Sequence, residues 1–460
     1  MARKTAPRKT LWSGTSPDEV MFSYTAGPDQ PWDGRLLRWD ILGSLGHVAG
    51  LATSGVITPA SHRKLERALR SALRAADQGS LRFGATDEDV HTAVENWLVR
   101  RAGTVGEMVH TGRSRNDQVC CDLRLYLKDR LLNLHRAGRT MADGLLSFAT
   151  REKRSLWPGY THTRRAMPSS AALWAGGIAE GLLDTLATLP ALWVQLDRSP
   201  LGSAAGYGVP LPLNREATAR ALGFAGLDQV VTSAQNSRGR IEASAVFWCV
   251  QLGHDLARLA GDVILFSAEE FGYLELPGEF VTGSSIMPQK RNPDLFELTR
   301  ARAALLEGDL AAILALRGKL TSGYHRDYQL LKAPLMSALD RTGEMLDMMT
   351  RVIPALKVNR ERAVQAVAGD LLATEEVMRR VGEGIPFRRA YRAVAEAVKR
   401  GETFDASSPA RIIARRRSTG GVGNPGLAVL ARRNRRLARW EAGERTRFTR
   451  AMRRLAGARR

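Results

Sequence analysis

The chain has 460 residues, of which 44% are hydrophobic and 25% are charged, a composition typical of a water-soluble protein. This length exceeds what one compact core usually covers, so we expect two or three domains or an elongated helix bundle. The formal net charge of +21 is unevenly placed, because the last 50 residues hold 16 arginines against two glutamates, a net of +14. Without an RNA- or DNA-binding motif, that basicity is weak support for a nucleic-acid-binding protein.

The cysteines and the N-terminus indicate the compartment. Three cysteines, of which Cys120 and Cys121 are adjacent, offer no disulfide framework and indicate reducing conditions. The basic segment "MARKTAPRKTLW" lacks the apolar stretch of a secretory signal, and no apolar run approaches the length of a membrane span. We therefore expect a cytoplasmic protein that does not enter a membrane.

In chain order, residues 1–113 contain shorter helical patterns interrupted by glycine and proline, and we predict an N-terminal helical domain. Residues 114–365 follow as a predicted central helix-bundle domain, because long apolar stripes at helical spacing dominate them. The stripes extend from Leu123 to Phe148, from Ile241 to Phe266 and from Leu331 to Ile353. The second stripe predicts a helix of roughly 40 Å at 1.5 Å per residue.

The segment "SSAALWAGGIAEGLLDTLATLPALWVQL" is apolar nearly all round and predicts a buried helix that Pro190 ends or kinks. Residues 366–460 are predicted to form a C-terminal helical domain with an Arg-rich tail, which we interpret as a solvated helix. A non-specific contact of this tail with nucleic acid is the less favoured alternative. Strand-like alternation is scarce, so the predicted fold class is all-α, and the excess of apolar helix surface favours an oligomer.

Three separated segments carry the residue types of a reaction site. "HTGRSRNDQV" leads into a bundle helix, whose N-terminus offers unpaired N–H groups beside the guanidinium of Arg115. Taken alone, this segment is compatible with an ordinary helix cap made by Ser114 or Asn116. "PGYTHTRRAMPSS" places His162 beside Thr161 in a polar loop, where a histidine is usually structural but is able to exchange a proton near neutral pH.

The third segment is the loop "TGSSIMPQKRNPD", which fits neither neighbouring helix. Ser284 presents a hydroxyl, Lys290 a cation and Asn292 an amide, and Glu297 stands at the start of the next helix. This composition suits stabilisation of the aci-carboxylate that forms when a proton leaves the carbon next to a carboxylate. A serine is able to act as base where cations and N–H dipoles favour its alkoxide. A mobile basic surface loop is the alternative interpretation.

Together the three segments resemble the signature regions of the fumarase/aspartase superfamily, whose shared loop pattern is GSSxMPxKxNP. "HTGRSRNDQV" is the marker of the argininosuccinate lyase family within it. "DEDVHTAVE", "PGYTH", "SPLGSAAGYG" and "YHRDYQLLK" are also similar to that family. The similarity extends from about Leu11 to about Pro425, and the motifs occur in the family's order, so the resemblance is specific.

The resemblance implies a three-domain, all-α fold with a central 20-helix bundle in a homotetramer, and active sites built from three subunits. It also implies cleavage of argininosuccinate to arginine and fumarate, the last step of arginine biosynthesis, with no cofactor and no metal.

Ser284 corresponds to the serine that removes the Cβ proton, and His162, paired with Glu297, to the partner acid/base group. Which of these two groups handles which proton stays open. Lys290 corresponds to the residue that stabilises the aci-carboxylate. The family's substrate-binding positions correspond to Ser114, Arg115, Asn116, Thr161, Asn292, Tyr324, Gln329 and Lys332.

The chain departs from the family at several positions. Thr163 and Arg164 follow "YTH" where an apolar residue and glutamine are usual, and "NSRGRIEASA" resembles a variant branch of the same lyases. "FSYTAGPDQPWDG" has no clear counterpart of the family's N-terminal substrate serine. A related succinyl-amine lyase, which Arg164 favours, is one alternative function. A non-catalytic structural protein on the lyase fold is another, and retention of all the catalytic residues argues against it.

Overall fold

A computed structural model describes residues 18–81, 83, 87–404 and 408–457. Helices dominate, which confirms the all-α prediction. The N-terminal helices are α1 (Glu19–Ala26), α2 (Gln30–Asp33), α3 (Leu37–Thr53), α4 (Pro59–Asp77), α5 (Val90–Ala102) and α6 (Thr104–Glu107). The central helices are α7 (Arg115–Arg151), α8 (Ala171–Leu186), α9 (Leu189–Leu196), α10 (Arg215–Ala221), α11 (Val231–Asn236), α12 (Arg240–Ser267), α13 (Asp294–Arg317) and α14 (Lys332–Val352). The C-terminal helices are α15 (Arg360–Gln365), α16 (Ala373–Gly382), α17 (Phe387–Lys399), α18 (Pro409–Arg415) and α19 (Leu427–Ala456).

Short 3-10 helices and strands connect these helices. The 3-10 helices are Gly34–Leu36, Met108–His110, Gly278–Phe280, Arg326–Leu331, Ile353–Ala355 and Gly369–Leu372. The strands are β1 (Leu156–Thr161), β2 (Arg164–Ser170), β3 (Arg198–Ser199), β4 (Gly226–Leu227), β5 (Leu274–Glu275) and β6 (Lys357–Val358). β1 pairs with β2 and β5 with β6 in antiparallel fashion, and β3 pairs with β4 in parallel.

The bundle core is built from the apolar stripes seen in the sequence. Helices α7, α8, α12 and α14 bury leucine-rich faces against one another in the largest hydrophobic cluster, which confirms the three predicted long helices. Pro190 stands in the first turn of α9, where its missing N–H group leaves no hydrogen bond unmade. The break that the sequence predicts therefore comes just before this proline, between α8 and α9.

Helix α19 corrects the expectation of a solvated tail, because it packs against the rest of the chain. Its last turns insert Phe448 and Leu455 into the cluster formed by the N-terminal helices. Glu441 is only 3% exposed and accepts from Arg139 at 2.8 Å, and Glu444 accepts from the indole N–H of Trp193 at 2.9 Å. Both acids of this helix therefore face inward. None of the described helices is both long and apolar enough to cross a membrane.

Candidate active site

A charged cavity of about 150 Å³ lies where α2, α5, α7 and the 3-10 helix before α14 meet. Charged side chains make up most of its lining, and an amide or a hydroxyl group stands at several of the other positions. The lining residues are Asp29, Asp33, Glu88, Asp89, His91, Arg115, Asn116, Val119, Arg238, Tyr324, Arg326, Gln329 and Lys332. These residues together form the charged cavity.

The predicted segment "HTGRSRNDQV" forms one wall of the charged cavity through a capping box. The Ser114 hydroxyl accepts from the backbone N–H of Asn116 at 3.3 Å, and Asp117 accepts from the backbone N–H of Ser114 at 3.0 Å. This arrangement begins α7 and directs Arg115 and Asn116 into the cavity. The guanidinium of Arg115 lies 2.6 Å from a carboxylate oxygen of Asp89, so an acidic partner holds its position.

Asp117 also ties this wall to the segment "SPLGSAAGYG". Its second carboxylate oxygen accepts from the backbone N–H groups of Gly202 at 3.0 Å and Ala204 at 2.8 Å. Burial raises the pKa of Asp117 to about 6, although these N–H groups oppose the rise. Two motifs that stand 85 residues apart are therefore joined through one buried carboxyl group.

Lys332 forms a buried ion-pair cluster in the opposite wall. Its ammonium lies 2.6 Å from carboxylate oxygens of both Asp29 and Asp33. Burial disfavours the charge of Lys332, but Asp33 and Asp29 outweigh this effect and raise its pKa above the usual value. The ammonium is thus already engaged by the protein, and it presents a neutralised rather than a free charge to a ligand.

Thr161 and His162 lie elsewhere, at the tip of the β1–β2 hairpin. The sequence predicts a polar loop here, whereas His162 and Thr163 form the two-residue turn between paired strands. Both have positive φ angles, 52° and 57°, as such a turn requires. The side chains of Thr161, His162 and Arg164 are exposed.

The loop "TGSSIMPQKRNPD" is closed by a bridge between Thr282 and Asn292. The Asn292 amide donates to the carbonyl oxygen of Gly283 at 3.1 Å, so this predicted ligand residue also fixes the loop. The hydroxyl oxygen of Ser284 accepts from the backbone N–H groups of Ile286 at 3.3 Å and Met287 at 3.2 Å. Lys290 is exposed at the loop surface.

Within one chain the predicted residues therefore fall into three groups. The charged cavity brings together Arg115, Asn116, Tyr324, Gln329 and Lys332, with Ser114 at its edge. The second group, Thr161 and His162, lies at the hairpin tip. The third group consists of Ser284, Lys290 and Asn292 in the loop that begins at Thr282, together with the exposed Glu297 of α13. In the described part of the chain, neither of these two groups lines the charged cavity.

The motifs in the sequence did not predict that Arg238 or the acidic residues of the charged cavity would belong to the site. Asp29 and Asp33 stand four residues apart in "DQPWD", a spacing that places two side chains on one helix face. Glu88 and Asp89 belong to "DEDVHTAVE", which resembles a family motif but by itself predicts no role for either acid. The four-residue spacing of Asp29 and Asp33 was the available signal for these two acids, although their partner Lys332 is distant in sequence.

The lining residue His91 belongs to a buried trio with Asp40 and Asp122, whose ligand atoms lie within 4.8 Å of one another. A histidine that is to bind a metal must be neutral at the binding nitrogen. Here Nδ1 of His91 lies 2.8 Å from Asp40. Burial lowers the pKa of His91, but the carboxylates of Asp40, Asp89 and Asp122 outweigh it and raise the pKa to about 9. We therefore interpret the trio as a buried ion pair with a neighbouring acid.

Comparisons with known proteins show the family of this chain. A family model described as lyase matches residues 31–308. The argininosuccinate lyase of Sorangium cellulosum (strain So ce56) is 43% identical over 430 residues, which cover 93% of this chain and 99% of that protein. The chain belongs to the argininosuccinate lyase family. The family's enzyme from Thermotoga neapolitana (strain ATCC 49049 / DSM 4359 / NBRC 107923 / NS-E) is 41% identical, with coverage of 84% and 97%.

Solved structures show the same fold. EDDS lyase in complex with formate superposes with a TM-score of 0.79 and 25% identity, covering 98% of this chain and 97% of that one. Class II fumarase from Schistosoma mansoni superposes with a TM-score of 0.68 and 16% identity, covering 79% and 84%. The argininosuccinate lyase family thus shares its architecture here with other lyases of the fumarase/aspartase superfamily.

Proposed function

We propose that this chain is an argininosuccinate lyase, which reversibly eliminates L-arginine from argininosuccinate and leaves fumarate. The reaction would be the last step of arginine biosynthesis, carried out in the cytoplasm. The observation that carries the proposal is the charged cavity, where Asn116, Tyr324 and Gln329 converge as the motifs imply. Relatives at 43% and 41% identity that bear this enzyme's name support it.

The loop environment of Ser284 supports its proposed role as the base that removes the Cβ proton. Its oxygen accepts hydrogen bonds from the backbone N–H groups of Ile286 and Met287. Donors that point at an oxygen favour its negatively charged form, so they would stabilise the alkoxide. Lys290, on the same loop, would neutralise the second charge of the aci-carboxylate.

His162, assisted by Glu297, is the proposed partner that exchanges a proton with the departing nitrogen. The exposed hairpin tip leaves the imidazole accessible to a ligand. In the elimination, the base takes the Cβ proton, the aci-carboxylate forms, and the C–N bond breaks as the leaving nitrogen is protonated. The chain's own residues supply each of these functions, and the proposal requires no cofactor and no metal.

We propose that the three groups meet in a homotetramer with a 20-helix central bundle. The exposed leucines Leu298, Leu305 and Leu314 of α13 and the exposed Phe247 of α12 support this assembly, since each is at least half exposed in one chain. A division into domains at 1–113, 114–365 and 366–460 fits the proposal, with α19 extending from the third domain over the first two.

A related succinyl-amine lyase is the second candidate, and Arg164 favours it. This arginine is exposed directly after the hairpin turn, where the family usually has glutamine. Its charge would lie near the proposed acid/base group and would favour a substrate with a further anionic group. The structural likeness to EDDS lyase is compatible with such a change of leaving group.

The deciding experiment follows fumarate release by ultraviolet absorbance when purified protein is given argininosuccinate. We expect release by the natural protein and none by Ser284→Ala. Because Ser284 lies in a surface loop, the variant is expected to unfold at the same temperature as the parent. Release from adenylosuccinate but not from argininosuccinate would establish the second candidate. No release from any succinyl amine would refute both.

A further inference from the structure

Helix α19 carries a row of arginines on the side that faces away from the rest of the chain. Each helical residue turns by about 100°, so residues about three, four or eleven positions apart share one face. Six exposed arginines of α19 follow this spacing, and none of them has a hydrogen-bond or ion-pair partner among the described residues. These arginines, named the basic stripe, are Arg432, Arg435, Arg436, Arg439, Arg450 and Arg453.

The other charged side chains of α19 differ from the basic stripe, because most of them are paired. Arg445 contacts Glu441, and Arg447 contacts Glu444. Arg433 contacts two acids of α8. Both glutamates of α19 are thus engaged by arginines on other faces of the helix. The helix therefore has no acid of its own to compensate the charge of the basic stripe.

The basic stripe consists of two clusters with small side chains between them. Arg439 ends the first cluster and Arg450 begins the second, and Gly443 and Thr446 are exposed on the same face between these arginines. From its first to its last arginine the stripe is about 32 Å long at 1.5 Å per residue. A single phosphate or carboxylate group reaches only one cluster. A ligand that uses the whole stripe is therefore an extended polyanion.

The surface of α19 favours a nucleic-acid duplex over other extended anions. The stripe contains only arginine, whose planar guanidinium donates two hydrogen bonds at once to a phosphate. Single strands bind largely by stacking bases on exposed aromatic side chains, and the stripe offers none. A helix that lies on a membrane needs an exposed apolar face. The apolar residues Phe448, Met452 and Leu455 of α19 are instead buried in the protein.

We propose that the basic stripe binds double-stranded nucleic acid through its phosphates, without regard to base sequence. Contacts to phosphate position a protein on a duplex but carry no sequence information. Helix α4 extends the surface, since Arg70 donates to the carbonyl oxygen of Leu455 at 3.0 Å. The exposed Arg67 and Arg74 lie one turn to either side of Arg70 on α4, beside the second cluster. This binding is independent of the proposed lyase reaction.

The experiment titrates the full-length protein into a fluorescent DNA duplex of about 24 base pairs and follows anisotropy at several salt concentrations. Each phosphate that a protein neutralises contributes about −0.9 to the slope of log K against log salt concentration. We expect a slope of about −4 to −6 for the natural protein. Two duplexes of unrelated sequence should bind with Kd values within about two-fold of each other at equal salt.

The double variant Arg436→Gln/Arg439→Gln tests the position of the contact. It removes two phosphate contacts, so the slope should become less negative by about 1.8. The matched control is Arg389→Gln/Arg392→Gln, which removes two exposed arginines from α17 and changes the net charge equally. Its slope should stay that of the natural protein. Both variants should keep the natural unfolding temperature, because none of these arginines has a partner among the described residues.

Three results would overturn the proposal. The first is no binding of the duplex by the natural protein at roughly 50 mM salt. The second is an equal change of slope in both double variants, which would show that only the net charge matters. The third is binding of vesicles that contain phosphatidylserine without binding of the duplex, which would assign the stripe to a membrane surface. Fumarate release is measured in parallel, and its absence leaves the result for the stripe unchanged.

Discussion

At the scale of single residues, most charged side chains around the charged cavity form ion pairs with one another. Lys332 contacts two aspartates, Arg115 is held by two acids, and His91 pairs with Asp40. Removing the ammonium of Lys332 would leave two buried carboxylates without their shared partner, which is strongly destabilising in proteins. The charged side chains of the cavity are therefore held in place by one another, without a ligand.

The ion pair of His91 leads to a prediction about pH. The pKa of His91 is raised from 6.5 to about 9 by its acidic neighbours, which outweigh burial. A group whose pKa is higher in the folded than in the unfolded state stabilises the fold fully below pH 6.5. That stabilisation is lost as the pH rises through 9. The advantage of the natural protein over His91→Asn in free energy of unfolding should therefore shrink over this range.

Urea unfolding of both proteins at several pH values between 6 and 9.5 measures this difference. Two curves that stay parallel across the range would show that His91 is neutral in the folded chain.

At the scale of elements, the β1–β2 hairpin presents the proposed acid/base histidine on a strained turn. Thr163 has a φ angle of 57°, which a β-branched residue rarely adopts. Thr163→Gly should relieve this strain and raise the free energy of unfolding by about 1 kcal/mol. Ser169→Gly, at a position of β2 that pairs with Trp157, is the matched control and should lower it by about 0.5–1 kcal/mol, because glycine weakens a strand interior.

Urea unfolding of the two variants checks the prediction. Destabilisation by both glycines to the same extent would mean that the turn is not strained. If Thr163→Gly only made the turn less rigid, it would lower the free energy of unfolding. A rise in that free energy would therefore identify relief of backbone strain.

Elements differed in how well the sequence predicted them. The long helices α7, α12 and α14 carry continuous apolar stripes, so their positions were evident. The hairpin was missed because "LWPGYT" contains a proline and a glycine and lacks alternation, and its strands are fixed by pairing with each other. Asp29 was missed because its contact with Lys332 spans 303 residues.

At the scale of the whole molecule, the separation of the three site groups predicts complementation between inactive variants. His162→Asn alters the hairpin tip, and Ser284→Ala alters the loop. If each active site takes these segments from different subunits, mixed assemblies contain some sites with both segments intact. Random mixing of equal amounts should restore about a quarter of the natural activity.

Unfolding and refolding the two variants together, followed by the fumarate assay, provides the measurement. Ser284→Ala mixed with Lys290→Ala is the matched control and should stay inactive, because every loop then carries one defect. Failure of the first mixture to regain activity in assembled protein would show that the hairpin and the loop of one site come from the same chain.

The contacts of Lys332 also bear on how the protein is made. Asp33 leaves the ribosome first, and 299 residues separate it from its ammonium partner. At roughly 5–20 residues per second, synthesis of Lys332 follows about 15–60 s later. Throughout that interval the two aspartates of the N-terminal region have no counter-charge from Lys332. A nascent chain that ends before Lys332 is therefore unable to form the cavity, however well its first helices have folded.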